Sequence, residues 1–276
     1  PETGDGSRVD AGTAYAILNR ALDLGVTLWD TANGYNAGTG HSEEVIGKWF
    51  QSNAAERRNI VLATKVEVGM EGFTPNHSGL SRGNILDGVD GCLRRLHIDY
   101  IDLLYFHHKD PEVPIKESLE AVEDLVRSGK IRYFAVSNFE TSDLDAYAAA
   151  AAGMSRRVRV AAVQNEFNIL MGETQKGVLD YCAKNGLSYI AYSPLGRGLL
   201  SGKYRSAEEM GDTTRMKQDH LDSKYTPELF EKLNRLMAIA AEIGVPLPAL
   251  TLAYMLTLDG MGPVIPASSS VAQLEQ

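Results

Sequence analysis

Cysteine is nearly absent from this chain: Cys92 and Cys182 are the two among 276 residues. Two thiols cannot make a disulfide framework, and both fall in helical apolar patterns, so each reads as a small buried hydrophobe in a reducing compartment. Long hydrophobic runs are missing as well. None approaches the ~20 residues that a membrane helix needs, and the opening PETGDGSRVDAGT lacks the charged and apolar regions of a signal peptide. The expectation is a soluble, cytoplasmic protein with no membrane partner. Positive charge is in short supply: 27 Lys and Arg stand against 36 Asp and Glu, a net charge of −9. The basic residues are dispersed and form no stripe interleaved with aromatics, which argues against a nucleic-acid partner. Paired carboxylates and metal-ligand clusters are also lacking at the strand ends, and this weighs against a barrel hydrolase or isomerase.

From residue 10 onward, helical and strand patterns alternate, which predicts a parallel sheet with helical crossovers. Ala14, Ile17, Leu18, Ala21 and Leu22 recur at helical spacing, Gly25 closes the segment, and the strand VTLWD follows. Ser42 is expected to cap the next helix, with Glu43 and Glu44 in its first turn and Val45, Ile46, Trp49 and Phe50 on its apolar face. Further strands read as IVLATK, IDLLYFH, IRYFAVS, VAAVQN, LSYIAYS and a short PVI at 263–265, giving seven in all. A closed barrel of this class needs eight, since an open edge leaves backbone groups unpaired. The expectation is therefore an α/β fold, a (β/α)8 TIM barrel with residues 1–276 as a single domain. Its first strand is expected to lie upstream of Pro1 and its C-terminal helix beyond Gln276. Residues 194–225 lack periodicity and are rich in Gly, Ser and charge, which suits a flap over the barrel mouth. Helices are expected at 227–243, with Thr226 as cap, and at 248–258.

Asp30, Lys65 and His107 each close an apolar strand, and Tyr35 lies five residues beyond Asp30. Polar groups at the ends of buried strands are costly, and in a parallel barrel they gather at the mouth where ligands bind. A Lys there needs a partner, and Asp30 is the natural one; the ammonium would then favour ionisation of the Tyr35 phenol, whose ordinary pKa is near 10. A structural Lys–Asp pair beside a surface Tyr explains the spacing equally well. His107 and His108 are adjacent, and in a strand adjacent side chains face opposite ways, which argues against a two-histidine metal site. Ser137, Asn138 and Gln164 end the next strands and suit recognition of a carboxamide, although Ser and Asn are also common turn residues. Tyr192 offers a flat ring on which a heterocycle could stack.

The segments DTANGY, SEEVIGK, ATK, DYIDLLYFHHKD, GKIRYFAVSNF, AVQNEFN, AYSPLGRGLLSGKY and VIPASSS with QLE stand in order along nearly the whole chain. Together they resemble the aldo-keto reductases, in particular the branch with aryl-alcohol dehydrogenase-like reductases and potassium-channel β subunits. The resemblance implies reversible, nicotinamide-dependent reduction of aldehydes or ketones, with a small-molecule carbonyl as partner. It places Asp30, Tyr35, Lys65 and His107 on the family's catalytic tetrad, with Tyr35 as general acid, Lys65 lowering its pKa, Asp30 holding Lys65 and His107 orienting the carbonyl. It assigns Ser137, Asn138 and Gln164 to the carboxamide, Tyr192 to the nicotinamide ring, and Ser193, Leu195, Lys203 and Arg215 to the pyrophosphate and adenosine. Ser269 and Gln273 match positions near the adenosine 2′-phosphate, which favours NADPH over NADH. The alternative it leaves is a cofactor-binding regulatory subunit with little turnover.

Overall fold

A computed structural model describes residues 9–70, 74–155, 158–211 and 225–276. Seven strands are present among them: β1 Leu28–Asp30, β2 Val61–Val66, β3 Ile101–Phe106, β4 Ile131–Ser137, β5 Val160–Glu166, β6 Ser188–Tyr192 and β7 Met261–Ile265. The sheet order is sequential from β1 to β7, and the pairs β1–β2, β2–β3, β3–β4, β4–β5 and β6–β7 are parallel. Helices fill the connections: α1 Ala11–Asp23 before β1, α2 Tyr35–Gly38 and α3 His41–Ser52 after it, then α4 Arg82–Leu96, α5 Ile115–Arg127, α6 Thr141–Ala150 and α7 Lys176–Asn185. α8 Pro227–Ile243 and α9 Leu247–Met255 precede β7, and α10 Val271–Glu275 follows it. Parallel strands in sequential order with helical crossovers are the topology of a (β/α)8 barrel. The chain divides into two compact units, Pro1–Gln164 with Ser268–Leu274, and Asn165–Ala267 with Glu275–Gln276.

In the first unit the strand interiors supply Leu62, Leu104, Phe106, Phe134 and Val136, all buried, against Ile85, Val89 and Cys92 of α4 and Leu119 and Val122 of α5. Each such side chain contributes about 1.5–3 kcal/mol on burial. α3 carries an aromatic cluster: Trp49 meets Trp29 of β1 edge-on at 4.8 Å, and Phe50 meets Trp49 at 5.4 Å. The Trp49 indole donates to Asn19 Oδ1 at 2.7 Å, which ties α3 to α1. Glu43 lies in the first turn of α3 as expected and is fully buried there, accepting from Thr64 Oγ1 at 2.6 Å and from Arg95 Nε at 2.8 Å. Burial, with the Glu43 charge adding to it, holds the nearby Cys92 thiol well above its ordinary range.

Several boundaries differ from the sequence expectation for local reasons. β1 starts at Leu28, because Val26 is used to close α1, its N–H donating to Ala21 O at 2.8 Å and its carbonyl accepting from Trp29 Nε1. Ser42 is not the cap of α3; left-handed Gly40 precedes the helix, and the Ser42 hydroxyl pairs with Thr31 Oγ1 at 3.0 Å. α9 begins at Leu247 and ends at Met255, where a turn takes over and Thr257 Oγ1 bonds Tyr254 O. Thr226 caps α8 as expected, accepting from Leu229 N at 3.3 Å.

The second unit has its own core, in which Leu170, Leu229, Phe230, Leu233 and Leu247 pack with Leu199, Leu200 and Met210. The last three come from the segment expected as a flap, so its described part is anchored by burial. Residues 212–224 of that segment, Arg215 included, lie outside the described residues. Among the described residues no single helix is long and apolar enough to cross a membrane.

α3 and α4 approach so closely that a Cβ built on Gly47 would lie 2.1 Å from Arg95 O. Gly47→Ala must push the two helices apart, and an overpacked site of this kind costs about 1–3 kcal/mol. The expected outcome is a lowered urea midpoint in equilibrium unfolding, and a midpoint equal to wild type would contradict the packing described.

Candidate active site

Lys65 sits on the last turn of the pleat of β2 and points inward; 1% of its side chain is exposed, against 5% for Asp30 at the end of β1. An ammonium has three protons, and here three acceptors surround it: Asp30 Oδ2 at 2.5 Å, Thr31 O at 2.9 Å and Tyr35 Oη at 2.9 Å. The acceptors come from one stretch because β1 ends at Asp30 and the chain turns over the end of β2, with Thr31 N bonding Ala63 O and Asn33 N bonding Lys65 O. Tyr35, the first residue of α2, is brought back over this turn, and its hydroxyl also donates to Asp30 Oδ2 at 3.4 Å. Asp30 Oδ1 in turn accepts from Gln164 Nε2 at 2.8 Å. A buried ion pair persists only when its remaining valences are met in this way, and removing one partner costs about 3–5 kcal/mol.

Burial pulls the Lys65 ammonium down, but Asp30 and Tyr35 outweigh it and its pKa is raised. Stability from this group is therefore fully present below its unfolded value and is lost as pH rises through the folded one, in the alkaline range. Tyr35 behaves otherwise than its neighbour alone suggests. Burial of the hydroxyl end is the largest influence and pushes the phenol up, Lys65 pulls it down, Asp30 pushes it up again, and the net direction is above its ordinary value. Lys65 thus lowers a phenol that burial has already raised. Of Tyr35 as a whole, 37% is exposed.

His107 follows β3 directly, its N–H bonding Val66 O at 3.0 Å, and its ring meets Tyr35 edge-on at 5.8 Å. Burial, the Lys65 charge and His108 drive its pKa down to about 3, so the imidazole is neutral. The adjacent histidines do not face opposite ways as strand alternation predicts. β3 ends at Phe106, both rings lie beyond the ladder, and they stack at 4.6 Å with 10° between planes. Among the described residues no group of three or more His, Cys, Asp and Glu is arranged to hold a metal.

Ser137 and Gln164 are register partners on β4 and β5, and Ser137 Oγ donates to Gln164 O at 2.8 Å. Asn138, left-handed with φ 62°, donates through Nδ2 to His107 O at 2.9 Å. Thus Asp30, Tyr35, Lys65, His107, Ser137, Asn138 and Gln164 form one hydrogen-bonded group within the first unit. Ser269 and Gln273 also belong to that unit, and both the N–H and the hydroxyl of Ser269 donate to Gln273 Oε1 at 2.9 Å. Tyr192, Ser193, Leu195 and Lys203 belong to the second unit, where Gly196, Arg197, Gly198 and Gly202 all have positive φ. A cavity of about 580 Å³ in the second unit is lined by Glu166, Phe167 and residues of the β5–α7 connection and of the start of α8; Asp30, Tyr35, Lys65 and His107 are not among them. The links from Gln164 to Asp30 and from Asn138 to His107 had no sequence signal, since each depends on register across strands.

The chain matches the model of the aldo/keto reductase family over residues 2–276. It belongs to that family. It is 31% identical to the aldo-keto reductase AMT2 of Alternaria alternata, over 95% of this chain and 76% of the relative. It is 34% identical to the aldo-keto reductase yakc [NADP(+)] of Schizosaccharomyces pombe, over 95% and 75%, and 28% identical to a probable voltage-gated potassium channel subunit beta of Oryza sativa, over 98% and 82%. Membership gives this chain the family's (β/α)8 barrel fold and an oxidoreductase role, in a family that generally uses nicotinamide cofactors.

The His107 shift has a direct readout. In proton–nitrogen spectra, assigned by loss of the signal in His107→Gln, the His107 imidazole is expected not to titrate between pH 5 and 8. A midpoint near 6.5 would contradict the neutral, desolvated ring.

Proposed function

We propose that this aldo/keto reductase reduces aldehydes or ketones to alcohols with NADPH, Tyr35 acting as the general acid. The observation that carries the reading is the three-way hydrogen bonding of Lys65 Nζ to Asp30, Thr31 O and the Tyr35 hydroxyl, beside a neutral His107. When bound, the nicotinamide supplies the hydride that adds to the carbonyl carbon. The carbonyl oxygen takes its proton from Tyr35 Oη, and the phenolate left behind faces the Lys65 ammonium at 2.9 Å. Asp30 keeps that ammonium in place without reaching the substrate. His107, neutral, orients the carbonyl oxygen with an N–H rather than competing as an acid. Tyr35 is partly exposed, and solvent returns the proton to the phenol between turnovers.

The residues present fit a nicotinamide cofactor. Gln164 Nε2 is engaged by Asp30, which turns its carbonyl oxygen to accept from a carboxamide, and Ser137 and Asn138 stand beside it. In the second unit Tyr192, Ser193 and Leu195 would face the nicotinamide ring and the pyrophosphate, and Lys203 would add positive charge. Ser269 and Gln273 would hold the adenosine 2′-phosphate, and the name of the fission-yeast relative, which carries NADP(+), favours NADPH over NADH. Arg215 would complete this side. The likeness to channel β subunits favours a second reading, a regulatory subunit that binds cofactor tightly with negligible turnover.

Replacing Tyr35 by Phe keeps the ring and removes the proton. With an aromatic aldehyde, kcat is expected to fall about 10²–10⁴-fold while the fluorescence-determined Kd for NADPH stays at the wild-type value. Wild-type turnover in the variant would overturn the mechanism, and negligible turnover in the wild type with tight NADPH binding would favour the regulatory reading.

A further inference from the structure

Glu67 is the first residue beyond β2, and its φ is 140°, a region in which side-chain-bearing residues are strained. The loop around it holds the backbone there. Glu67 O accepts from Gly79 N at 2.9 Å, Val68 O accepts from Asn33 Nδ2 at 3.0 Å, and a Cβ on Gly69 would lie 2.2 Å from His77 O. Glycine would sit at position 67 without strain, yet the chain carries a glutamate. The side chain that the strain keeps has a defined contact: His108 Nδ1 donates to Glu67 Oε2 at 3.0 Å. His108 in turn stacks on His107 at 4.6 Å, nearly parallel.

A catalytic imidazole usually has its plane set by a hydrogen bond at the nitrogen that does not face substrate. Here His107 Nδ1 is buried and has no hydrogen-bond partner among the described residues. Its backbone is held by Asn138 and Val66, and its ring packs edge-on with Tyr35 on one side and against the face of His108 on another. His108 is itself half exposed, so without Glu67 its ring would be free to rotate into solvent. We propose that Glu67 is a positioning residue that acts through His108 to fix the plane of the His107 imidazole, and that the backbone strain at residue 67 is retained for this purpose. The role in turnover rests on the carbonyl-reductase reading above; the positioning of the ring does not.

The test uses the whole chain with Glu67→Gly, Glu67→Gln and His108→Ala. Because Gly relieves the strain, Glu67→Gly is expected to melt about 2 °C or more above wild type while kcat for an aromatic aldehyde falls about 10-fold and Kd for NADPH is unchanged. Glu67→Gln, whose amide oxygen accepts from the same Nδ1–H, restores most of kcat. Combining Glu67→Gly with His108→Ala is expected to cost no more than the larger single loss, since both act on one ring. The His107 Cε1–H resonance, which senses the His108 ring current, shifts in Glu67→Gly and stays near wild type in Glu67→Gln. An unshifted resonance, or unchanged kcat in Glu67→Gly, overturns the proposal, as does a fall of kcat and melting temperature together. Should the wild type show no turnover with any aldehyde, the reductase reading fails by itself, and the shift of the His107 resonance still decides the positioning role.

Discussion

One buried ammonium organises this molecule's chemistry. Lys65 is the one charged residue of β2, and its charge is tolerated only because β1 stops at Asp30 and the next residues wrap over the end of β2 to supply Thr31 O and Tyr35 Oη. The penalty for burying an unpaired charge links fold and site: the β1–β2 register that puts Asp30 against Ala63 also sets the carboxylate at the ammonium. Gln164 extends the arrangement to β5 by donating to the second carboxylate oxygen, so the residue suited to a carboxamide also steadies the carboxylate that holds Lys65. Any displacement of β5 is thereby felt at Tyr35.

Strain is concentrated at the same end of the sheet. Glu67, Asn138, Ser193 and Arg197 all have positive φ, and each directly follows a strand or lies in the loop after it. Backbone of this kind costs about 1–3 kcal/mol per residue and persists where the surroundings over-determine it. Asn138 uses its conformation to reach the His107 carbonyl, and Glu67 uses its own to reach His108. The barrel strands provide the rigid frame, and the departures from regular geometry aim the side chains.

Much of this was legible in the residues. Alternating periodicity located seven strands in order, with β4 correct at both ends, and strand-end polarity singled out Asp30, Lys65 and His107 before any contact was known. What stayed hidden depended on details below the resolution of pattern. The stacking of His107 on His108 follows from β3 ending one residue sooner than IDLLYFH suggests, which cancels strand alternation. The raised pKa of Tyr35 could not be read from its pairing with Lys65, because the decisive influence is burial, a property of the folded surroundings. Glu43 looked like an ordinary helix-start acid and proved to be a buried partner of Arg95, a contact 52 residues apart. Gln164 and Asp30 are 134 residues apart, and only the closed sequence of strand pairings from β1 to β5 brings them together.

Lys65 lowers the pKa of a phenol that burial and Asp30 have raised. Labelling tyrosine at Cζ with carbon-13 and following the Tyr35 resonance from pH 7 to 12 tests it directly, in wild type and in Lys65→Met. The expected wild-type midpoint lies above the ordinary value near 10, with a further rise in Lys65→Met, where the Asp30 charge acts unopposed. A midpoint that falls or stays in place when the ammonium is removed would contradict it.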